Sequence, residues 1–191
     1  MKAHFEAPTI EVQKRVVIMN DAATIGKVQG HPNIIKMKEV YSRGKIVAVS
    51  DGQSQVKEVF AIMVLETIRG GELYYHIRKC AGFSLGVSNL FFQQLSGALC
   101  HMHNSGYCHR DLKPWNIMMS SDLSSVKIID FGYATPLDPA ELAKSSRFLR
   151  GKLSCTANYM APELYSNNIK DSLANADVFA LGVILINFLT G

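Results

Sequence analysis

The sequence predicts an α+β fold in two parts, a β-rich first third and a helical remainder. Three observations carry this. Apolar runs at 34–37, 46–49 and 59–65, rich in Ile and Val, are bounded by turn residues such as Asp51-Gly52-Gln53. Further on the apolar period becomes helical, with Val87, Leu90, Phe91, Gln94, Leu95, Ala98, Leu99 and Met102 on one stripe. Between them stands Glu66-Thr67-Ile68-Arg69-Gly70-Gly71, whose paired glycines mark a tightly turned link. The expected organisation is 1–65, a connector at 66–71, and 72–191.

Each element has a local reason. Pro8 suits a helix start, and Val12, Val16, Met19, Ala23 and Ile25 follow at near-helical spacing until Gly30-His31-Pro32-Asn33 stops the helix. Residues 33–65 read as a small antiparallel β unit, with 59–65 a strong buried strand. Glu72-Leu73-Tyr74-Tyr75-His76-Ile77 begins a short helix, Ser84 caps the next and Gly106 closes it. Pro136 and Pro139 break regular structure, so 133–160 reads as a long polar segment with Lys144, Arg147, Arg150 and Lys152. Ala161-Pro162-Glu163-Leu164 starts a short helix, and the run from Asn175 opens one apolar nearly all round, hence buried.

Composition narrows the function classes. With 191 residues, 48% hydrophobic and 19% charged, the chain is ordinary globular protein. A net charge of +4 with no basic run gives no sign of a nucleic-acid arm. Cys80, Cys100, Cys108 and Cys155 form no C-x-x-C, and the first residues lack the apolar core of a targeting segment. The cysteines read as free thiols in a reducing compartment, the cytoplasm, with the nucleus also open to such a chain. The apolar run at 178–189 is shorter than the roughly 20 residues a bilayer span needs. Neither nucleic acid nor membrane is therefore an expected partner.

The densest chemistry lies at 109–118. An imidazole, two cations, an acid and an amide stand within eight residues, and Asp130-Phe131-Gly132 follows a strand-like Val126-Lys127-Ile128-Ile129. A carboxylate and an amide five residues apart, then a carboxylate fourteen residues after the amide, suit a site that holds a divalent metal and a phosphate chain.

Those residues also carry a resemblance. His109-Arg110-Asp111-Leu112-Lys113-Pro114-x-Asn116, Asp130-Phe131-Gly132, Ala161-Pro162-Glu163 and Asp177-x-Phe179-x-x-Gly182 stand in the order and at the intervals of eukaryotic protein kinases. The chain resembles that family from about residue 10 to its end. Lys113-Pro114 looks like the serine/threonine type. Gly30-His31-Pro32-Asn33-Ile34-Ile35 and Gly70-Gly71-Glu72-Leu73 are most similar to calmodulin-dependent-type kinases. The implied architecture is a two-lobed protein-kinase-like fold, with a partial β-rich N-lobe, a hinge at 66–71 and a partial helical C-lobe. The implied activity is transfer of the γ-phosphate of ATP to a protein hydroxyl, with ATP and Mg²⁺ as cofactors and an incomplete catalytic domain as its carrier.

The resemblance also assigns roles. Asp111 matches the acid that accepts the substrate proton, Lys113 the lysine on the transferred phosphate, and Asn116 and Asp130 the metal ligands. Leu65 guards the back of the adenine pocket, Glu66 and Ile68 offer hinge backbone to adenine, Glu72 reaches ribose, and Met118 completes the ATP-binding set. Arg110 resembles the receiver of an activating phosphate, which implies an activating kinase as well as a protein substrate; Ser145, Ser146 and Ser154 are available. Thr156 matches a threonine bonded to the catalytic acid and lysine. Asp177 matches a buried carboxylate that holds the catalytic-loop backbone. Glu163 matches the partner of an arginine on helices expected beyond residue 191. His109, Phe131, Met37 and Ile25 resemble a hydrophobic column between lobes, and Gly132 completes the Asp130 turn.

Departures accompany the match. No G-x-G-x-x-G precedes residue 30. Asp21, ten residues before His31, takes the place of a helix glutamate and is one methylene shorter; Lys2 is its best lysine partner, with Lys14 as rival. Trp115 replaces a common glutamate, and Cys155 a common glycine. These departures keep a second reading open, a catalytically impaired kinase fragment acting as a binding or scaffold module.

Overall fold

The computed structural model describes residues 10–42, 44–50, 53–59, 61–144, 156–165 and 173–191. Lys2, Ser145, Ser146, Ser154 and Cys155 lie outside these residues.

Helix α1 spans Ile10–Val28 and ends at Gly30, whose φ of 117° only glycine adopts readily. Among its described side chains Ala22, Thr24, Ile25 and Val28 are buried, whereas Met19 is exposed. Residues 33–35 do not begin a hairpin as expected. Ile128 N–H donates to the Asn33 carbonyl at 2.8 Å, Ile35 N–H donates to the Ile128 carbonyl at 3.0 Å, and the Asn33 side-chain amide donates to the Val126 carbonyl at 2.7 Å. The segment is locked to the far strand of a later hairpin, so the first strand starts at Met37.

Two antiparallel ladders follow. β1 (Met37–Tyr41) pairs with β4 (Ile62–Leu65) across a bulge, and β2 (Gly44–Ser50) pairs along its length with β3 (Gln53–Val59). The single buried strand expected at 59–65 is therefore two strands, and β4 is half-buried rather than sealed. Apart from Val59, β3 is not expected from the sequence, because Gln53-Ser54-Gln55-Val56-Lys57-Glu58 offers no apolar period.

The helical part is built on α2 (Leu73–Cys80), α3 (Leu85–Asn104) and a last helix, α5 (Leu173–Thr190). Ser84 caps α3, its hydroxyl accepting from Val87 N–H at 3.4 Å. Phe91, Leu95, Ala98, Leu99 and Met102 are buried, but Val87 and Leu90 at the helix start are exposed. Phe83, Phe91 and Phe188 form a cluster of three rings, with Phe83 5.7 Å from each of the others. One core runs through α1, α2, α3 and α5 and includes Ile117, Ile128 and Phe131.

Short strands carry the loops of interest: β5 (Tyr107–Cys108), β6 (Ile117–Met119), β7 (Val126–Ile128) and β8 (Thr135–Pro136), paired as β5–β8 and β6–β7. The segment after Gly132 is more regular than its prolines suggest. Pro136 ends β8, and Pro139 opens helix α4 (Pro139–Lys144) at a position that needs no backbone N–H. A 3-10 turn spans Pro162–Tyr165.

Helix α5 corrects another expectation. It is apolar and long enough to meet the length and composition of a membrane span, a test that core helices also pass. Ala180, Leu181, Ile184 and Phe188 are buried, while Val178, Phe179, Ile186 and Leu189 are exposed. One face is core and the other is not covered among the described residues.

Phe91 is 2% exposed and Leu90 44%. Phe91→Ala should cost about 3–5 kcal/mol in urea unfolding and Leu90→Ala about 0.5 kcal/mol. Equal costs would place the helix face wrongly.

Candidate active site

The loop at 109–116 is anchored from below. Asp177 is the fifth residue of α5 and is 1% exposed. Its Oδ2 accepts from His109 N–H at 2.7 Å and pairs with His103 Nε2 at 2.9 Å, while its Oδ1 accepts from Arg110 N–H at 2.8 Å. A buried carboxylate must find such donors, and here two of them are consecutive loop amides. Arg110 adopts φ 69°, and the His109 ring packs 5.2 Å from Phe131. The buried Cys108 thiol beside this anchor is pushed up to about 12 by burial and then by the Asp177 charge, which disfavours the thiolate.

Past this anchor the chemistry converges. Asp111 is 7% exposed; its Oδ2 accepts from Lys113 Nζ at 2.7 Å and from Asn116 Nδ2 at 3.0 Å. Asn116 Nδ2 also donates to the Asp111 carbonyl at 2.8 Å. Two acceptors fix the amide's orientation, which leaves Asn116 Oδ1 as the oxygen free to meet a cation. Pro114 starts the 3-10 turn Pro114–Asn116 that folds the amide back onto Asp111. Ile129 N–H donates to the Asn116 carbonyl at 2.9 Å, which ties the loop to the residue before Asp130. Asp130 is exposed, has φ 60°, and accepts from Gly132 N–H through Oδ1 at 3.1 Å.

Among the described residues no three His, Cys, Asp or Glu side chains converge as a metal cage. The oxygens of Asn116 and Asp130 fit a different kind of site. Mg²⁺ takes hard oxygen donors, keeps several waters, and binds through few protein groups plus substrate phosphates.

The residues expected around a nucleotide are also placed. An antiparallel bridge sets Glu72 beside Met118. Leu65 ends β4, and 66–69 belongs to no helix or strand. Glu66 N–H donates to the Lys36 carbonyl at 2.9 Å, so its N–H is spent inside the protein. Its carboxylate accepts from Lys36 N–H at 2.8 Å and from Lys127 Nζ at 2.7 Å. Ile68 has no backbone partner among the described residues.

Other expected contacts differ. Thr156 lines the same small cleft as Arg110, Asp111 and Asp177, but its hydroxyl bonds neither Asp111 nor Lys113, which pair with each other. Trp115 stacks on Tyr74 at 4.0 Å and meets Tyr159 edge-on at 6.2 Å, an aromatic wall where a carboxylate is common. Glu163 opens the turn Pro162–Tyr165. Two contributing residues were not singled out by sequence. His103, on the helical stripe's polar side, reaches Asp177, and Asn20 faces the Asp130 turn beside Asp21.

Asp21 is not set against a lysine among the described residues. Its Oδ1 accepts from Phe131 N–H at 2.9 Å. Burial pushes its carboxyl from 3.8 up to about 6, opposed by the Phe131 N–H and reinforced by the Asp130 charge. A raised carboxyl favours the folded chain fully below about pH 4, and that contribution is lost as pH rises through about 6. At 1.36 kcal/mol per unit, the ionised group costs up to about 3 kcal/mol at pH 7.5. Asp21→Asn keeps an acceptor for Phe131 and removes the charge. In metal-free buffer its stability relative to the parent should rise between pH 4 and 7.5, and a pH-independent difference would contradict the shift.

The comparisons agree with this geometry. The protein kinase domain family matches residues 3–191. Mouse ribosomal protein S6 kinase alpha-4 is 36% identical over 176 residues, 90% of this chain and 20% of its own length. Rice CBL-interacting protein kinase 24 is 35% identical over 168 residues, 88% of this chain and 32% of its own. Mouse sperm motility kinase 3A is 35% identical over 162 residues, 84% of this chain and 27% of its own. The chain thus spans between a fifth and a third of the length of these three relatives. The family generally uses ATP and Mg²⁺ and acts on protein substrates. With the catalytic-loop acid, lysine and amide gathered on one carboxylate and the family matched along nearly the whole chain, this α+β polypeptide belongs to the protein kinase domain family.

Proposed function

We propose that the chain is the catalytic part of a serine/threonine protein kinase that transfers the γ-phosphate of ATP to a protein hydroxyl. The observation that carries this reading is the convergence of Lys113 Nζ and Asn116 Nδ2 on the Asp111 carboxylate, tied through Ile129 to Asp130.

Asp111, oriented by two donors, is the group to accept the substrate hydroxyl proton as the new bond forms. Lys113, paired to it at 2.7 Å, brings positive charge to the side on which phosphate charge develops. Asn116 Oδ1 and Asp130 would hold Mg²⁺, which when bound neutralises phosphate charge. Glu72 and Met118 stand together to receive ribose and base, and the Ile68 N–H offers adenine a donor. A reducing compartment, cytoplasm or nucleus, suits the exposed thiols of Cys80 and Cys100. An activating kinase is proposed for the serines before Thr156, with Arg110 as receiver of the phosphate.

Asp111→Asn should bind Mg²⁺·ATP within about twofold of the parent yet lose at least about a hundredfold in phosphotransfer to a generic serine peptide. Asp130→Asn should lose the magnesium-dependent gain in ATP affinity, read by calorimetry. Undiminished transfer in Asp111→Asn would refute the assignment. Parent protein that binds Mg²⁺·ATP without any transfer would favour the binding-module reading.

A further inference from the structure

We infer that Asn20 is a positioning residue for the turn that carries Asp130, so that helix α1 sets the metal-bearing carboxylate through one side-chain amide. The inference rests on the kinase reading for what Asp130 does, and on geometry for how it is held.

Asn20 Nδ2 donates to the Phe131 carbonyl at 3.2 Å, the Gly132 carbonyl at 3.0 Å and the Ala134 carbonyl at 2.9 Å. Three acceptors around one atom leave no choice of amide orientation, since the flipped side chain would set oxygen against three oxygens. The next residue grips the other polarity of the same turn, Asp21 Oδ1 accepting from Phe131 N–H. One turn earlier, Val17 closes the contact. A Cβ added to Gly132 would lie 2.4 Å from Val17 Cγ1, so helix and turn touch with no room for a side chain. Positions 17, 20 and 21 are spaced i, i+3 and i+4, one face of α1. Donor, acceptor and apolar contact thus reach one short turn from one helix face.

The turn needs such a grip. Asp130 sits at φ 60°, in the left-handed region that is strained for a non-glycine residue. Its own bond from Gly132 N–H and the Ala134 N–H to Phe131 carbonyl bond at 3.0 Å hold it from inside. Asn20 holds it from outside.

The test compares the parent with Asn20→Asp, which puts oxygens where the donor stood, and Asn20→Ser, which keeps a shorter donor. ADP binding is measured by calorimetry with and without Mg²⁺, and amide exchange is followed at 131–134 and in α3. Without metal all three proteins should bind ADP within about twofold. With Mg²⁺ the gain in affinity should fall about tenfold or more in Asn20→Asp, roughly the worth of one net hydrogen bond, and be largely kept in Asn20→Ser. Exchange at 131–134 should quicken in Asn20→Asp while α3 keeps its protection. If Asn20→Asp also loses protection in α3, Asn20→Ala replaces it under the same criteria. Unchanged exchange at 131–134 together with an unchanged magnesium gain would overturn the inference. A parent that shows no magnesium gain refutes the kinase reading instead, and the exchange comparison then decides the Asn20 contact alone.

Discussion

A single buried carboxylate fixes the position of the catalytic loop. Asp177 is shielded from water, and three donors replace the water its carboxyl group has lost. Two of those donors are the consecutive amides of His109 and Arg110, which cannot both face one carboxylate unless the backbone turns. Arg110 makes that turn with a positive φ, and the turn aims Asp111 away from the core toward Lys113 and Asn116. The apolar faces of α3 and α5 hold the carboxylate in place, so core packing and site geometry are parts of one arrangement.

The site is held from two directions. Helix α5 fixes 109–110 from below, and α1 fixes 131–134 from the side. Between them run the bond from Ile129 N–H to the Asn116 carbonyl and the packing of His109 on Phe131. The two groups suited to a cation, Asn116 and Asp130, therefore belong to segments gripped by different helices. Asp21 adds a cost to this grip, because it carries a carboxylate into a half-buried position beside Asp130.

Much of the site was legible in the sequence, because motif spacing constrains chemistry directly. Asp177 meets the loop backbone as the resemblance implies, Asp111, Lys113 and Asn116 lie together in one loop, and Ser84 caps α3 where expected. What escaped the sequence depends on partners far along the chain. Asn33 binds Val126, so the apolar pair Ile34 and Ile35 joins β7 instead of opening a hairpin. β3 is set by backbone pairing with β2 and has no apolar period to betray it. Helix α5 is apolar around its whole surface, so periodicity could not tell its buried face from its exposed one. Asn20 and His103 are polar residues on helices, where the default reading is solvent; only tertiary placement shows three carbonyls facing one and Asp177 facing the other. Lys2, and with it the lysine expected for Asp21, lies outside the described residues.

The account turns on Asp177 ordering the loop by accepting its amides. Amide exchange at His109 and Arg110, compared between the parent and Asp177→Asn, tests this most directly. An asparagine offers one acceptor and turns an NH₂ toward the other donor, so at least one of the two amides should exchange about tenfold faster or more while α3 stays protected. Equal protection of both amides in the two proteins would contradict the account.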